Sequence, residues 1–252
     1  MYTPASSYTF VGILSSSAMP SPVSPGDCED PCIVPTIHVL APASIAYPSS
    51  GRAYLISSGD ATAKTRAALI EYLATAFSPP DQIAAEYLLL LLLSTPTARP
   101  TSLPPLGTIA INFLRPASSA SPSTFTAVVS SISPLVVPLP LSISLLNSST
   151  FYPVSTDSSN LDAGILQLGE GTVLIVEEDE MGEGGQLDEK AVKNIKALID
   201  CVEQQKLRYE YPFMDDLKMD CHLRVAVFSE GKSLLPVSEK LDSRSVLISS
   251  GS

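Results

Sequence analysis

Two stretches of the chain carry residue types at spacings that could handle a nucleotide. The first is Val173-Leu174-Ile175-Val176, a branched, strand-forming run that ends in Glu177-Glu178-Asp179. A parallel strand finishing in acids is how P-loop ATPases hold Mg²⁺ and orient the attacking water. The second is Ala226-Val227-Phe228-Ser229-Glu230-Gly231-Lys232-Ser233, the nearest match to Gly-x4-Gly-Lys-Ser/Thr, whose backbone N–H groups cradle phosphates. Alanine stands in place of the first glycine, and Glu230 sets a negative charge where the phosphates would lie. Pro236 interrupts the helix that should follow and supply further N–H groups. The segment also comes after the acidic strand, whereas the phosphate loop of these ATPases precedes it. Residues 226–233 are therefore read as a strand-to-loop turn. Glu170 to Glu189 contains eight acids and no base, the composition of a solvated or partner-binding loop.

Other catalytic arrangements are missing. The two histidines, His38 and His222, lie in no His-Glu-x-x-His, and no Gly-x-Ser-x-Gly elbow is present. His222, beside Cys221 at a strand start, reads as a partly buried structural histidine. Cys28-x3-Cys32 has His38 as its one nearby partner and no second ligand pair at zinc spacing, which favours unpaired thiols. The residues thus predict no enzyme, no cofactor and no metal. Four cysteines without disulfide-like spacing fit a reducing compartment.

Composition narrows the partners. The chain has 252 residues, 45% of them hydrophobic, 22 prolines and no tryptophan, so a sizeable core alternates with many loops. Net charge is −11, with 7 acids and 5 bases in residues 1–150 and 19 acids and 10 bases in 151–252. Such an acidic half repels phosphate, and no direct nucleic-acid contact is expected. The longest apolar run, Ile83 to Leu93, falls well short of the ~20 residues that span a bilayer, and the first residues do not form a signal peptide. No membrane contact is expected either.

The elements that would position these residues follow from periodicity. Tyr8–Leu14 and Thr36–Leu40 read as strands around a Ser/Pro linker. Ala63, Ala67, Ile70, Leu73 and Phe77 predict a helix capped by Asp60. Ser78-Pro79-Pro80-Asp81 predicts a second helix, capped by Ser78 and running to Leu93, apolar enough to be packed on two sides. Strands are expected at 108–114, 139–146, 173–176 and 223–228, and a hairpin at 207–220. Helices are expected at 125–132, weakly at 161–168, and after Asp188 with Val192, Ile195, Ile199 and Val202 inward. The alternation predicts an α/β fold, a largely parallel sheet with helices on both faces.

The segment Gly171–Pro236 resembles the mini-chromosome maintenance (MCM) complex-binding protein family. The likeness is carried by Gly171-Thr172-Val173-Leu174-Ile175-Val176-Glu177-Glu178, Gly185-Gln186-Leu187-Asp188, Val192–Leu198, Gln204-Gln205-Lys206 and Ser229–Pro236. Upstream blocks at 34–39, 84–89 and 103–107 stand in the same order. The resemblance implies a degenerate AAA+-like (MCM-like) domain at 36–236 that lacks the phosphate loop. It would be flanked by the end of an N-terminal region and a linker at 1–35 and by a tail at 237–252. Residues 78–93 would stand where an active subunit carries its phosphate loop and helix. The resemblance further implies a non-catalytic adaptor that binds MCM helicase subunits in the nucleus and regulates their assembly, supply or release from chromatin. The alternative is a degenerate ATPase using Gly231-Lys232-Ser233. The chain starts near the end of the family's N-terminal region and stops soon after Pro236, so a truncated member is expected.

Overall fold

In the computed structural model the described residues are 9–18, 33–43, 59–101, 103–114, 123–157, 160–178, 185–212, 214–229, 233–235 and 245–249. They divide into two compact units, one of Ser6–Pro48 and one that takes in Ser49–Ser252. The first unit is an antiparallel pair, β1 (Thr9–Ala18) and β2 (Ile33–Ala43), which overlaps both strands expected there. Cys28 and Cys32 lie outside the described residues; the His38 ring Nε2 is 2.7 Å from Ser15 Oγ.

The second unit opens with α1 (Gly59–Ala74) and α2 (Gln82–Leu93). Ser78 does not cap α2. Asp81 does, its Oδ1 accepting from Ile83 N at 2.8 Å and Ala84 N at 3.1 Å, because a cap must reach the second and third helical N–H groups. Nor is α2 covered all round: Ala84, Ala85, Leu88 and Leu91 are buried, while Ile83, Leu90 and Leu93 face outward.

Then follow β3 (Ala110–Leu114), α3 (Ser123–Ile132), β4 (Val136–Pro140), α4 (Ile143–Ser148), β5 (Val154–Asp157), β6 (Asn160–Asp162) and β7 (Thr172–Glu177). The chain continues through α5 (Glu189–Gln204), β8 (Lys206–Tyr211), β9 (Met214–Asp220), β10 (Leu223–Ser229) and β11 (Ser245–Ser249). Two expectations are corrected. Residues 139–146 are not one strand: β4 ends at Pro140, and Ser142 caps α4 by accepting from Leu145 N at 3.2 Å. Pro138 and Pro140 fit β4 because it is a sheet edge, where a missing N–H breaks no ladder. Residues 161–168 are not helical but begin with β6, paired antiparallel to β5.

Five strands form one sheet in the order β11-β3-β10-β7-β4, all pairs parallel. A second sheet, β6-β5-β8-β9, contains the hairpin expected at 207–220. Alternate residues of the parallel sheet feed two cores. Leu174, Val176, Val225 and Val227 pack with α4, α5 and the second sheet. Val173, Ile175, Ile111, Phe113, Ala226 and Phe228 pack with α1, α2 and α3. Phe77, Phe113, Phe125 and Phe228 meet there with ring centroids 4.7 to 5.8 Å apart. Helices therefore cover both faces, as expected. Among the described residues no strand of this sheet leads into α2, since β3 comes after it. Residues 78–93 thus do not occupy the place of a phosphate loop; the chain leaving the carboxyl end of β3 is 115–122, and it contains no glycine.

Helix α5 packs through Ala191, Ala197, Leu198 and Cys201, with Ile195, Ile199 and Val202 half-buried against the same core. Val192 faces solvent instead, and the inward place in that turn belongs to Asn194. The Asn194 Nδ2 donates to Leu146 O at 2.8 Å and Ser149 O at 2.9 Å, and its Oδ1 accepts from Phe151 N at 3.1 Å. One fully buried amide so satisfies the end of α4 and the turn after it. Asn194→Ala leaves two carbonyls and one N–H without partners. It should lower unfolding free energy by about 2–4 kcal/mol in a denaturant titration.

Candidate functional site

The carboxyl ends of parallel strands are where α/β proteins bind ligands, and here they gather the two segments that stand out in the sequence. Glu177 closes β7: its carbonyl accepts from Leu141 N at 2.7 Å, which ties the start of α4 to the sheet. Glu178 follows, its N–H donating to Phe228 O at 2.9 Å. Glu178 keeps the alternation of Leu174 and Val176, so its side chain enters the face shared with α5, where it is buried. Asp179 lies outside the described residues.

Glu178 is engaged by the segment that leaves β10. Ser233 Oγ donates to Glu178 Oε1 at 2.9 Å, and Leu234 N donates to Oε2 at 3.2 Å. Ser233 Oγ in turn accepts from Leu235 N at 3.0 Å, and Leu235 is buried in the core. The structure thus brings Glu178 and Ser233 together, two residues 55 apart in sequence. Gly231 and Lys232 lie outside the described residues. Residues 234 and 235 form a bend, and none of 233–235 is helical, so among the described residues no helix N-terminus offers its N–H groups to a phosphate there. Beside them Ser229 Oγ donates to Asn112 Oδ1 at 3.1 Å. Among the described residues no group of three His, Cys, Asp or Glu side chains is placed to hold a metal ion.

The opposite, amino-terminal end of the sheet holds a polar knot that sequence reading missed. Gln205 follows α5 in the left-handed conformation, φ 51°. Its buried side chain imitates a strand: Nε2 donates to Leu223 O at 3.0 Å and Oε1 accepts from Leu223 N at 2.7 Å. Arg99 donates to Gln205 O at 3.2 Å and Cys221 O at 2.6 Å. Arg224 donates to Ser94 O and Gly171 O, joining the end of α2 to the start of β7. The signal available for this knot was Gln204-Gln205-Lys206, which carries the family likeness but not the job of Gln205.

His222 is buried more deeply than expected, at 2% exposure. Burial, then the neighbouring Arg224, pushes its pKa down to about 4, against a hydrogen bond to the Ser94 backbone; Arg99 lowers it further. The ring is neutral at pH 7, so its 4.0 Å approach to Glu170 is not an ion pair there.

A family model, the mini-chromosome maintenance replisome factor, matches residues 23–248. The chain belongs to this family. A Gallus gallus mini-chromosome maintenance complex-binding protein is 34% identical over 217 residues, which cover 81% of this chain and 34% of the relative. The Homo sapiens protein of the same name is 33% identical over 81% of this chain and 33% of its own length. One from Arabidopsis thaliana is 32% identical over 67% of this chain and 28% of its own. The chain spans about a third of the length of the curated relatives it matches. No helix among the described residues is long and apolar enough to cross a membrane.

Two outcomes test this geometry. Ser233→Ala removes one hydrogen bond to Glu178 and should cost about 1–2 kcal/mol, with faster hydrogen exchange at Leu234 and Leu235. For His222 the folded pKa lies below the unfolded value of about 6.5, so the unfolded chain binds more protons between pH 4 and 6.5. Its contribution is complete above about pH 6.5 and is lost as pH falls to 4, at most about 3 kcal/mol. Denaturant midpoints measured across that window should fall less steeply in His222→Gln than in the wild type.

Proposed function

We propose that the chain is a non-catalytic adaptor that binds subunits of the MCM replicative helicase. On this reading it acts in the nucleus during DNA replication, in assembling, supplying or releasing the helicase from chromatin. Membership of a family whose relatives are named MCM complex-binding proteins supports the partner. The single observation that carries the non-catalytic part is the use of Glu178. An ATPase keeps that carboxylate for Mg²⁺ or water, whereas here it accepts from Ser233 Oγ and Leu234 N.

An AAA+-like origin for the scaffold is part of the same proposal. It is supported by an all-parallel sheet in which the acid-ended β7 and the first strand β3 flank β10, with their carboxyl ends on one edge. At the place where a phosphate loop would follow β3 the sequence is Arg115-Pro116-Ala117-Ser118-Ser119-Ala120-Ser121-Pro122, without glycine or lysine. The acidic surface would meet basic surfaces of a protein partner and avoid nucleic acid itself.

One observation favours the ATPase alternative. P-loop enzymes hold Mg²⁺ between the loop Ser/Thr and the acid at the strand end, and Ser233 stands 2.9 Å from Glu178. The lack of a helix at 233–235 and the late position of the loop weigh more heavily against it.

The 252-residue chain should co-purify with MCM subunits at physiological salt, and a clean absence of association would sink the adaptor reading. Calorimetry should show no heat with Mg·ATP. Binding that disappears in Lys232→Ala would replace the adaptor with the ATPase.

A further inference from the structure

At the amino-terminal end of the sheet lies a cleft of about 330 Å³, within the size range of ligand sites. Its walls are the loop after α2 (Arg99, Leu103, Pro104), the last residue of α5 (Gln204) and the paired strand ends Lys206 and Asp220. The loop is closed at its base. Thr97 N donates to Leu106 O and Leu106 N to Ala98 O, closing the base of the proline-bearing loop. Gly107, with φ 91°, completes that closure; a Cβ there would meet the Thr95 carbonyl oxygen at 2.5 Å. The Arg99 guanidinium is held by two backbone carbonyls and lies 3.6 Å from Asp220.

That arrangement leaves one charge unanswered. Asp220 stands opposite Lys206 across the β8–β9 ladder, but its carboxylate is turned to Arg99. Lys206 Nζ has no ion pair or hydrogen bond among the described residues, in a chain whose net charge is −11. On the same cleft Leu103 is 64% exposed, an apolar side chain on the loop after α2. A cation surplus next to an exposed leucine matches a carboxylate next to an apolar side chain. Because Leu103 stays exposed at the edge of the cleft, this apolar contact suits a polypeptide crossing the cleft more than an enclosed small molecule.

We propose that this cleft is where the chain docks an extended segment of its protein partner, a carboxylate meeting Lys206 and an adjacent apolar side chain resting on Leu103 and Pro104. The proposal rests on the adaptor reading and names the surface that carries it. Pre-ordered walls mean that little is lost in fixing them on binding, and the lysine's contact is partly shielded from water.

The test measures association of the 252-residue chain with purified MCM subunits for the wild type, Lys206→Glu, Lys206→Arg and Leu103→Asp, each checked for an unchanged thermal midpoint. Affinity should fall tenfold or more in Lys206→Glu and Leu103→Asp and stay within threefold of wild type in Lys206→Arg. Zero-length carbodiimide coupling of the wild-type complex should join the Lys206 amine to a partner Asp or Glu, read by mass spectrometry. Wild-type affinity in both Lys206→Glu and Leu103→Asp would overturn the cleft and leave the adaptor reading standing. No association of the wild type would remove the adaptor reading and the cleft with it.

Discussion

Residues Val173 to Val176 of β7 and Val225 to Val227 of β10 have no exposed surface, so both faces of these two strands must be covered by apolar groups. The helices and the second sheet of the larger unit answer that requirement. One face is met by α4, α5 and the second sheet, the other by α1, α2, α3 and the four clustered phenylalanines. A fully buried aliphatic side chain contributes about 1.5–3 kcal/mol, so this doubly covered pair is a major source of stability. It also sets what can stand at the strand ends. A polar group that emerges there is either at the surface or has to find partners among the chain's own atoms.

Those partners come from a few buried amides and guanidiniums, most of them bonded to backbone. Asn194 serves the turn between α4 and β5, Gln205 pairs with Leu223 like a short strand, and Arg99 and Arg224 bond the carbonyls left over where helices and strands end. These bonds fix the junctions while the apolar contacts supply most of the burial. Asn112 holds Ser229 in the same way at the other end.

The acid at the end of β7 belongs to the same economy of burial. Glu178 enters the face where Leu235 must be covered, and Ser233 and Leu234 supply its donors. Glu178 is thereby the clip between β7 and the chain leaving β10.

The residues alone determined the α/β alternation, the strand at 173–176, the hairpin at 207–220 and the helix after Asp188, because period-2 and period-3.6 patterns of apolar residues are local signals. Ordered blocks of residues also carried the family likeness, which needs no coordinates. Capping by Asp81 in place of Ser78, the break of 139–146 into β4 and α4, and the outward turn of Val192 were decided by which backbone N–H groups and which face each side chain could reach. Strand order, the burial of His222 and the meeting of Glu178 with Ser233 were decided only in three dimensions. In each of these the partners lie far apart in the chain, and nothing in local sequence registers a contact made across the sheet. Glu177 and Glu178 were legible as a strand end; that Glu178 is spoken for was not.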